Sequence, residues 1–239
     1  MASSLTDTRK TYIQIFNEVR RKIGLKETST LDSDSIGSAM IDYMNDVLAE
    51  VSDHGDWQEM YREEAFAFTT ADSSTSDYVF STSVAVKNFH EIQFSTQIAP
   101  LRLVTLDDIR RLNRTSATGV PTQWAVVGVD NATTGNPRVR VFPTPTTAQA
   151  SANYNVAYYK KPALITSADT STMPEFPSRM LSQGLLAYVL KDEERGNPTQ
   201  QWQQEYLMFQ NMMQETFNRY NGDMGSDPYF IPQRGRRSR

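Results

Sequence analysis

The chain has 239 residues, 27.1 kDa and no cysteine; its two histidines are His54 and His90. That composition excludes a disulfide framework, a thiolate zinc site and a cysteine nucleophile, and with 38% hydrophobic residues no stretch approaches the roughly 20 apolar residues that span a bilayer. The net charge of -4 divides unevenly: the last six residues, RGRRSR, hold four of the 24 basic residues, so residues 1–233 carry 20 basic against 28 acidic residues, a net -8. An acidic body ending in a basic arm points to an arm that meets an acidic partner, while the body repels nucleic acid.

The opening, MASSLTDTRK, has no apolar run behind a basic region, so it does not read as a signal peptide, and a soluble protein made in the cytosol is expected. Between Asp7 and Gly24, Tyr12, Ile15, Phe16, Val19 and Ile23 share one helix face; Thr6 or Thr8 can cap its start and Gly24 its end. After the polar turn STLDSDS a second stripe, Ile36, Met40, Tyr43, Met44, Val47, Leu48 and Val51, predicts another helix, with Ser33 or Ser35 as N-cap and Gly55 as stop. These two helices are expected to pack as a hairpin.

From Trp57 the pattern changes to period two. Strands are predicted within Tyr61–Thr70 and at Tyr78–Phe80, Ile92–Phe94, Leu101–Val104, Gln123–Val127, Arg138–Phe142 and Tyr154–Tyr159. The first two are separated by the loop-forming TTADSSTSDY, and the last two by the proline-containing PTPTTAQASA. One brief helical signal interrupts them: Thr105 and Asp108 form a capping pair before Leu106, Ile109 and Leu112.

Helix returns after Pro162. Met180, Leu181, Gly184, Leu185, Tyr188, Val189 and Asp192 form one stripe, ended by Gly196-Asn197-Pro198. Thr199 then caps a long helix carrying Trp202, Tyr206, Phe209, Met213, Phe217 and Tyr220 on one face, with Met208 and Met212 as adaptable contacts. That face is expected to be core or subunit interface. The expected fold class is α+β: a bundle of two N-terminal helices (residues 1–56) and two C-terminal helices (163–220), each with one apolar face buried against the others. An antiparallel β-rich insertion (57–162) interrupts the bundle, and an extended arm (221–239) follows it. In the arm, Tyr229, Phe230, Ile231 and Pro232 precede Arg234, Arg236 and Arg237; an aromatic-aliphatic plug beside arginines favours docking into a protein groove.

Chemical signatures are scarce. Glu63 and Glu64 lie near Asp53, His54, Asp56 and Glu59, but adjacent strand residues point to opposite faces, so a solvated cluster is the expectation, as is a surface or interface role for His90. No phosphate-binding glycine loop and no Gly-x-Ser-x-Gly occurs. No catalytic residue, cofactor or metal site is expected.

Several segments, in their order, carry a resemblance: TYIQIFNEVRRKIGL, VLAEVSDHGDWQE, the pair LDDIRRLNR and GVPTQWAVVG, FPTPTTAQASANYNVAYYKKP, and MPEFPSRMLSQGLLAYVLKDEE. Over roughly residues 8–215 the chain resembles the head-to-tail adaptor (connector) proteins of tailed bacteriophages, of the kind found in short-tailed phages. The resemblance implies a structural virion protein at the head-tail junction, not an enzyme. It further implies a homo-oligomeric ring, usually twelve-fold, that lies beneath the portal protein and joins it to a tail nozzle or tail tube protein. The helices would form the wall, the β insertion would face the tail, the C-terminal arm would dock on the portal, and DNA would pass through the lumen without sequence-specific binding. An acidic body suits that passage, because holding phosphates needs cations. Two alternatives stand beside it: an envelope-degrading hydrolase using Glu63, Glu64 and Asp56, and a DNA-binding module using RGRRSR.

Overall fold

The computed structural model describes residues 9–67, 77–80, 85–94, 97, 99–112, 117–129, 137–146, 148, 153–193 and 200–222. The chain is α+β and forms two compact units: residues up to Glu59 together with those from Leu164 onward make one, and Met60–Ala163 the other.

The first unit is helical: α1 (Tyr12–Lys22), α2 (Ser35–His54), α4 (Ser178–Glu193) and α5 (Gln200–Gly222). Helix α1 buries Tyr12, Ile15, Phe16 and Val19, as the spacing predicts. Its first turn is closed at Thr11, whose N–H donates to Gln14 Oε1 at 3.0 Å, whereas Thr6 and Thr8 fall outside the described residues. Gly24, at φ 78, adopts the left-handed conformation that ends the helix, and Leu25 N–H reaches back to the Arg20 carbonyl at 2.8 Å. The N-cap of α2 is Asp34, not Ser33 or Ser35: its carboxylate accepts from Gly37 N–H at 2.7 Å. Asp34 fits because it also takes two hydrogen bonds from the Arg20 guanidinium, at 2.7 and 3.1 Å, which a serine could not do. Asn17 fixes the loop between the helices by accepting from Thr28 N–H and donating to the Thr28 carbonyl, both at 2.9 Å.

The expected α1–α2 hairpin is not what holds these helices. Their direct approach is slight, and each packs instead on α4, which also carries α5. Helix α4 is accordingly buried almost all round, through Met180, Leu181, Leu185, Leu186, Ala187, Val189 and Leu190, with Ser178, Ser182 and Gln183 also inside. A helix contacted by three others has little polar face to present, so the expectation of one apolar face per helix fails at α4. Gly184 marks the closest approach: a Cβ there would lie 2.8 Å from Val47 Cγ1 and 2.9 Å from Phe209 Cε2.

Among the described residues the second unit has the strands β1 (Tyr61–Phe66), β2 (Asp77–Val79), β3 (Val86–Phe94), β4 (Arg102–Leu103), β5 (Gln123–Val129), β6 (Pro137–Phe142) and β7 (Tyr154–Lys160) and the short helix α3 (Leu106–Leu112). They form two sheets, ordered β1-β7-β3 and β2-β6-β5-β4. Every pair is antiparallel except β4 with β5, which is parallel, a departure from the expected antiparallel insertion. The intervening α3 supplies the crossover that a parallel pair needs, and Asp108 N–H donates to Thr105 Oγ1 at 3.2 Å at its predicted cap. Both sheets contribute to one core, which includes Phe80, Ile92, Trp124, Val141, Tyr154 and Tyr158. Rings there meet edge to face, as Phe80–Tyr158 does at 5.5 Å and Phe89–Trp124 at 5.6 Å. Asp77 is buried at the start of β2 and is ion-paired to Arg138 and Arg140 of β6.

Candidate functional site

Helix α5 carries the aromatic residues singled out in the sequence, and the structure divides them. Phe209 and Met213 are buried, whereas Trp202, Tyr206 and Phe217 are half-buried. Trp202 and Tyr206, one turn apart, stack with centroids 5.8 Å apart and planes at 20°. The Trp202 Nε1–H is buried and finds no acceptor among the described residues. Lys191 of α4 lies 5.8 Å from the Trp202 ring and 5.6 Å from that of Tyr188, a cation held over two aromatic faces.

The outer face of α5 is unusual in composition. Gln201, Gln203, Gln204, Gln210, Asn211, Gln214 and Asn218 are all exposed, together with Leu207 and Met208, which are 57% and 51% accessible. Amides and apolar side chains with few charges suit contact with another protein, because charge is depleted where protein surfaces are desolvated together. Beside this face lies a cleft of about 540 Å³ between the end of α1, α4 and α5. Ile23, Leu186, Leu190 and Met208 give it apolar walls, and Lys22, Gln183, Gln201 and Glu205 are its polar lining.

At the inner side of α5, Glu50 of α2 accepts from two phenols, Tyr206 at 2.7 Å and Tyr188 at 2.8 Å. The carboxylate thus ties α2, α4 and α5 together. Burial raises both phenols above their ordinary range, and the Glu50 hydrogen bonds and charge push the same way. Nothing in the sequence brings these three residues together: Glu50 reads as a polar position between Val47 and Val51, and its partners lie 138 and 156 residues away.

Phe217 belongs to a second aromatic group. Its ring lies 5.2 Å from Trp57 and 5.3 Å from His54, both edge to face, and Trp57 in turn meets Phe176 at 5.4 Å. Trp57 Nε1–H donates to the Val51 carbonyl at 2.6 Å, which fixes the corner after α2. His54 is therefore a packing residue of this corner. His90, which is exposed, stands near Tyr61 and Tyr159 in the β unit.

Glu63 is exposed and accepts from Tyr61 Oη at 2.6 Å, whereas half-buried Glu64 accepts from Tyr158 Oη at 2.6 Å. Among the described residues no group of three or more His, Cys, Asp or Glu side chains could hold a metal ion. The β unit has an apolar surface of its own on β4 and β5, where Leu103, Val126 and Val129 are exposed. The docking residues read from the arm, Tyr229, Phe230, Ile231, Pro232, Arg234, Arg236 and Arg237, lie outside the described residues, as do Gly196-Asn197-Pro198 and Thr199.

Exposed amide and apolar side chains on α5, and exposed apolar ones on β4 and β5, suit protein contact, and Glu50, Glu63 and Glu64 each accept a hydrogen bond from tyrosine. A family model, SU10 adaptor protein, matches residues 10–231. The chain belongs to that family, and it is a structural protein of the bacteriophage virion, a head-tail adaptor or connector. An adaptor of this kind binds portal and tail proteins at the head-tail junction. No curated protein matches the chain. No helix among the described residues is long and apolar enough to cross a membrane.

Proposed function

We propose that this adaptor assembles as a ring beneath the portal, the twelve-fold ring that the resemblance implies, which joins the portal to the tail and surrounds the DNA exit path. The observation that carries this reading is the family match, which runs from residue 10 to residue 231 and so reaches the Tyr229-Phe230-Ile231 cluster of the arm. A ring requires two different surfaces on each subunit, one for each neighbour. The amide- and methionine-rich face of α5 suits one of them. The exposed Leu103, Val126 and Val129 of the β unit suit contact with a tail protein. The arm, with its aromatic plug and its arginines, docks on the portal, while the acidic body lets DNA pass without holding its phosphates.

Deleting residues 223–239 tests the reading. The shortened chain is expected to keep the circular-dichroism signal and melting behaviour of its helices and to lose binding to portal rings in sedimentation. Undiminished binding would overturn the assignment of the arm.

A further inference from the structure

Two outer faces of the helical unit carry opposite charge. On α1 a cleft of about 440 Å³ is lined by Arg9, Lys10, Gln14 and Arg21, and Lys22 follows at the end of the helix. Glu18 pairs with Lys10 and Lys22, at 2.6 and 3.8 Å, and Glu27 pairs with Arg21 at 3.2 Å. Four cations against two carboxylates leave this face positive, although residues 1–233 as a whole carry a net -8. Gln14 and Arg21, seven residues apart, lie on the side of α1 opposite the buried Tyr12, Phe16 and Val19.

On α2 the residues Ser35, Ser38, Asp42, Asp46, Ala49 and Asp53 are all exposed, and steps of three or four residues place them in one stripe. The stripe lies opposite the buried Met40, Met44, Val47 and Val51. Among the described residues no lysine or arginine is ion-paired to Asp42, Asp46 or Asp53. Helices α1 and α2 both pack on α4 and hardly touch each other, and each charged face is on its helix's outer side. The two faces therefore cannot neutralise each other within one subunit.

Their dimensions match. A helix rises about 1.5 Å per residue, so the two ends of α1, each marked by a pair of cations, lie about 15 Å apart, and Asp42 and Asp53 lie about 17 Å apart on α2. Between the cations of α1 stands Glu18, and between Asp46 and Asp53 stands the uncharged Ala49, so like charges need not meet. Lys22 also lines the cleft between α1, α4 and α5, which joins the basic face to the amide-rich surface of α5 as one flank.

We infer that the basic outer face of α1 in one copy docks on the Asp42, Asp46 and Asp53 stripe of α2 in the next copy. Each copy uses α1 toward one neighbour and α2 toward the other, and head-to-tail contacts of this kind can close into rings. The inference rests on the ring reading above and names the two surfaces that build the ring. A second copy fits this face better than DNA does, because a continuous row of phosphates would also meet Glu18 and Glu27, which stand among the cations.

Charge reversal in full-length chains mixed with portal rings tests the contact, with circular dichroism as the check on folding; the four positions changed are exposed. Arg21→Glu with Lys22→Glu makes the α1 face acidic, and Asp46→Lys with Asp53→Lys makes the α2 stripe basic. Each reversed chain alone should give roughly ten-fold less adaptor ring by sedimentation, because like-charged faces then meet. An equimolar mixture of the two should restore rings in which the chains alternate, and one chain carrying all four changes should restore them alone. Undiminished rings from either reversed chain would overturn the inference and leave the ring reading in place, and if the Arg21→Glu, Lys22→Glu rings then held duplex DNA more weakly, the face would belong to DNA. A loss that neither the mixture nor the four-change chain repairs would also overturn it. Wild-type chain that adds to the portal only as single copies would overturn the ring reading and this contact together.

Discussion

Phe217, near the end of α5, lies directly on the backbone of Gly55 at the end of α2: a Cβ built on Gly55 would sit 2.3 Å from the ring's Cε2 and Cζ. Gly55 is extended, at φ 179, a conformation open to any residue, so the ring and not the backbone requires glycine there. The ring cannot retreat freely, because His54 and Trp57 hold it edge to face. Gly55→Ala is therefore expected to destabilise the helical unit by about 1–3 kcal/mol, the usual range for overpacking. Phe217→Leu should relieve part of that loss in the double variant, and denaturant midpoints for the four chains of the cycle would measure the coupling. Additive single effects would mean that the two residues do not meet.

Gly184 poses the same question inside a helix. An exposed glycine in mid-helix gains about 1 kcal/mol on replacement by alanine. Here the added methyl would meet Val47 and Phe209 at 2.8 and 2.9 Å. Gly184→Ala should therefore show no net gain, and Gly184→Leu should lose about 1–3 kcal/mol or more as α2 and α5 are forced off α4. Urea unfolding of both variants checks the order; a stabilised Gly184→Ala would show that the contact relaxes at little cost.

The Glu50 junction makes a prediction in alkali. A hydrogen bond to a charged acceptor contributes about 1.5–3 kcal/mol, so Tyr188→Phe should cost an amount in that range, and Tyr206→Phe less because Tyr206 is closer to solvent. Tyr188 holds its proton more tightly in the folded chain than its ordinary value of 10.0 allows, through burial first and Glu50 second. The folded state then keeps a proton that the unfolded state releases, so this contribution is complete below pH 10 and declines as pH rises further. Melting temperatures followed upward from about pH 9 should fall less steeply for Tyr188→Phe than for the wild type. Parallel curves would refute the assignment.

Much of this architecture is legible residue by residue. The stripe Tyr12, Ile15, Phe16 and Val19 is buried as its spacing requires, Gly24 and Gly55 end their helices, and each of the seven strands overlaps a predicted segment, although β3 begins at Val86, six residues before the predicted Ile92–Phe94. The failures share one cause, which is contact between parts distant in sequence. Asp34 outcompetes Ser33 and Ser35 as a cap because Arg20, 14 residues earlier, completes its hydrogen bonding. Helix α4 reads as a one-sided stripe, but three helices surround it, and its small Gly184 and Ser182 are the signal of that central position. The Glu50 junction leaves no linear trace at all. Of the candidate site, the α5 stripe was legible, whereas the cleft was not, because its walls come from three helices.

Asp34 and Arg20 supply a prediction in acid. The Arg20 hydrogen bond, joined by that from Gly37 N–H, holds the Asp34 carboxyl down to about 2 from its ordinary 3.8. A depressed carboxyl contributes stability that is complete above its unfolded value and is lost as pH falls through the folded one. The α1–α2 connection should therefore weaken between about pH 4 and pH 2. Asp34→Asn keeps an N-capping side chain but removes the charge, so it should melt below the wild type at neutral pH and converge with it as pH approaches 2. Asp34→Ala loses the cap as well and should remain the least stable of the three throughout. Thermal melts at closely spaced pH values decide the matter: a constant gap between wild type and Asp34→Asn down to pH 2 would show that the Arg20 pairing adds nothing beyond the cap.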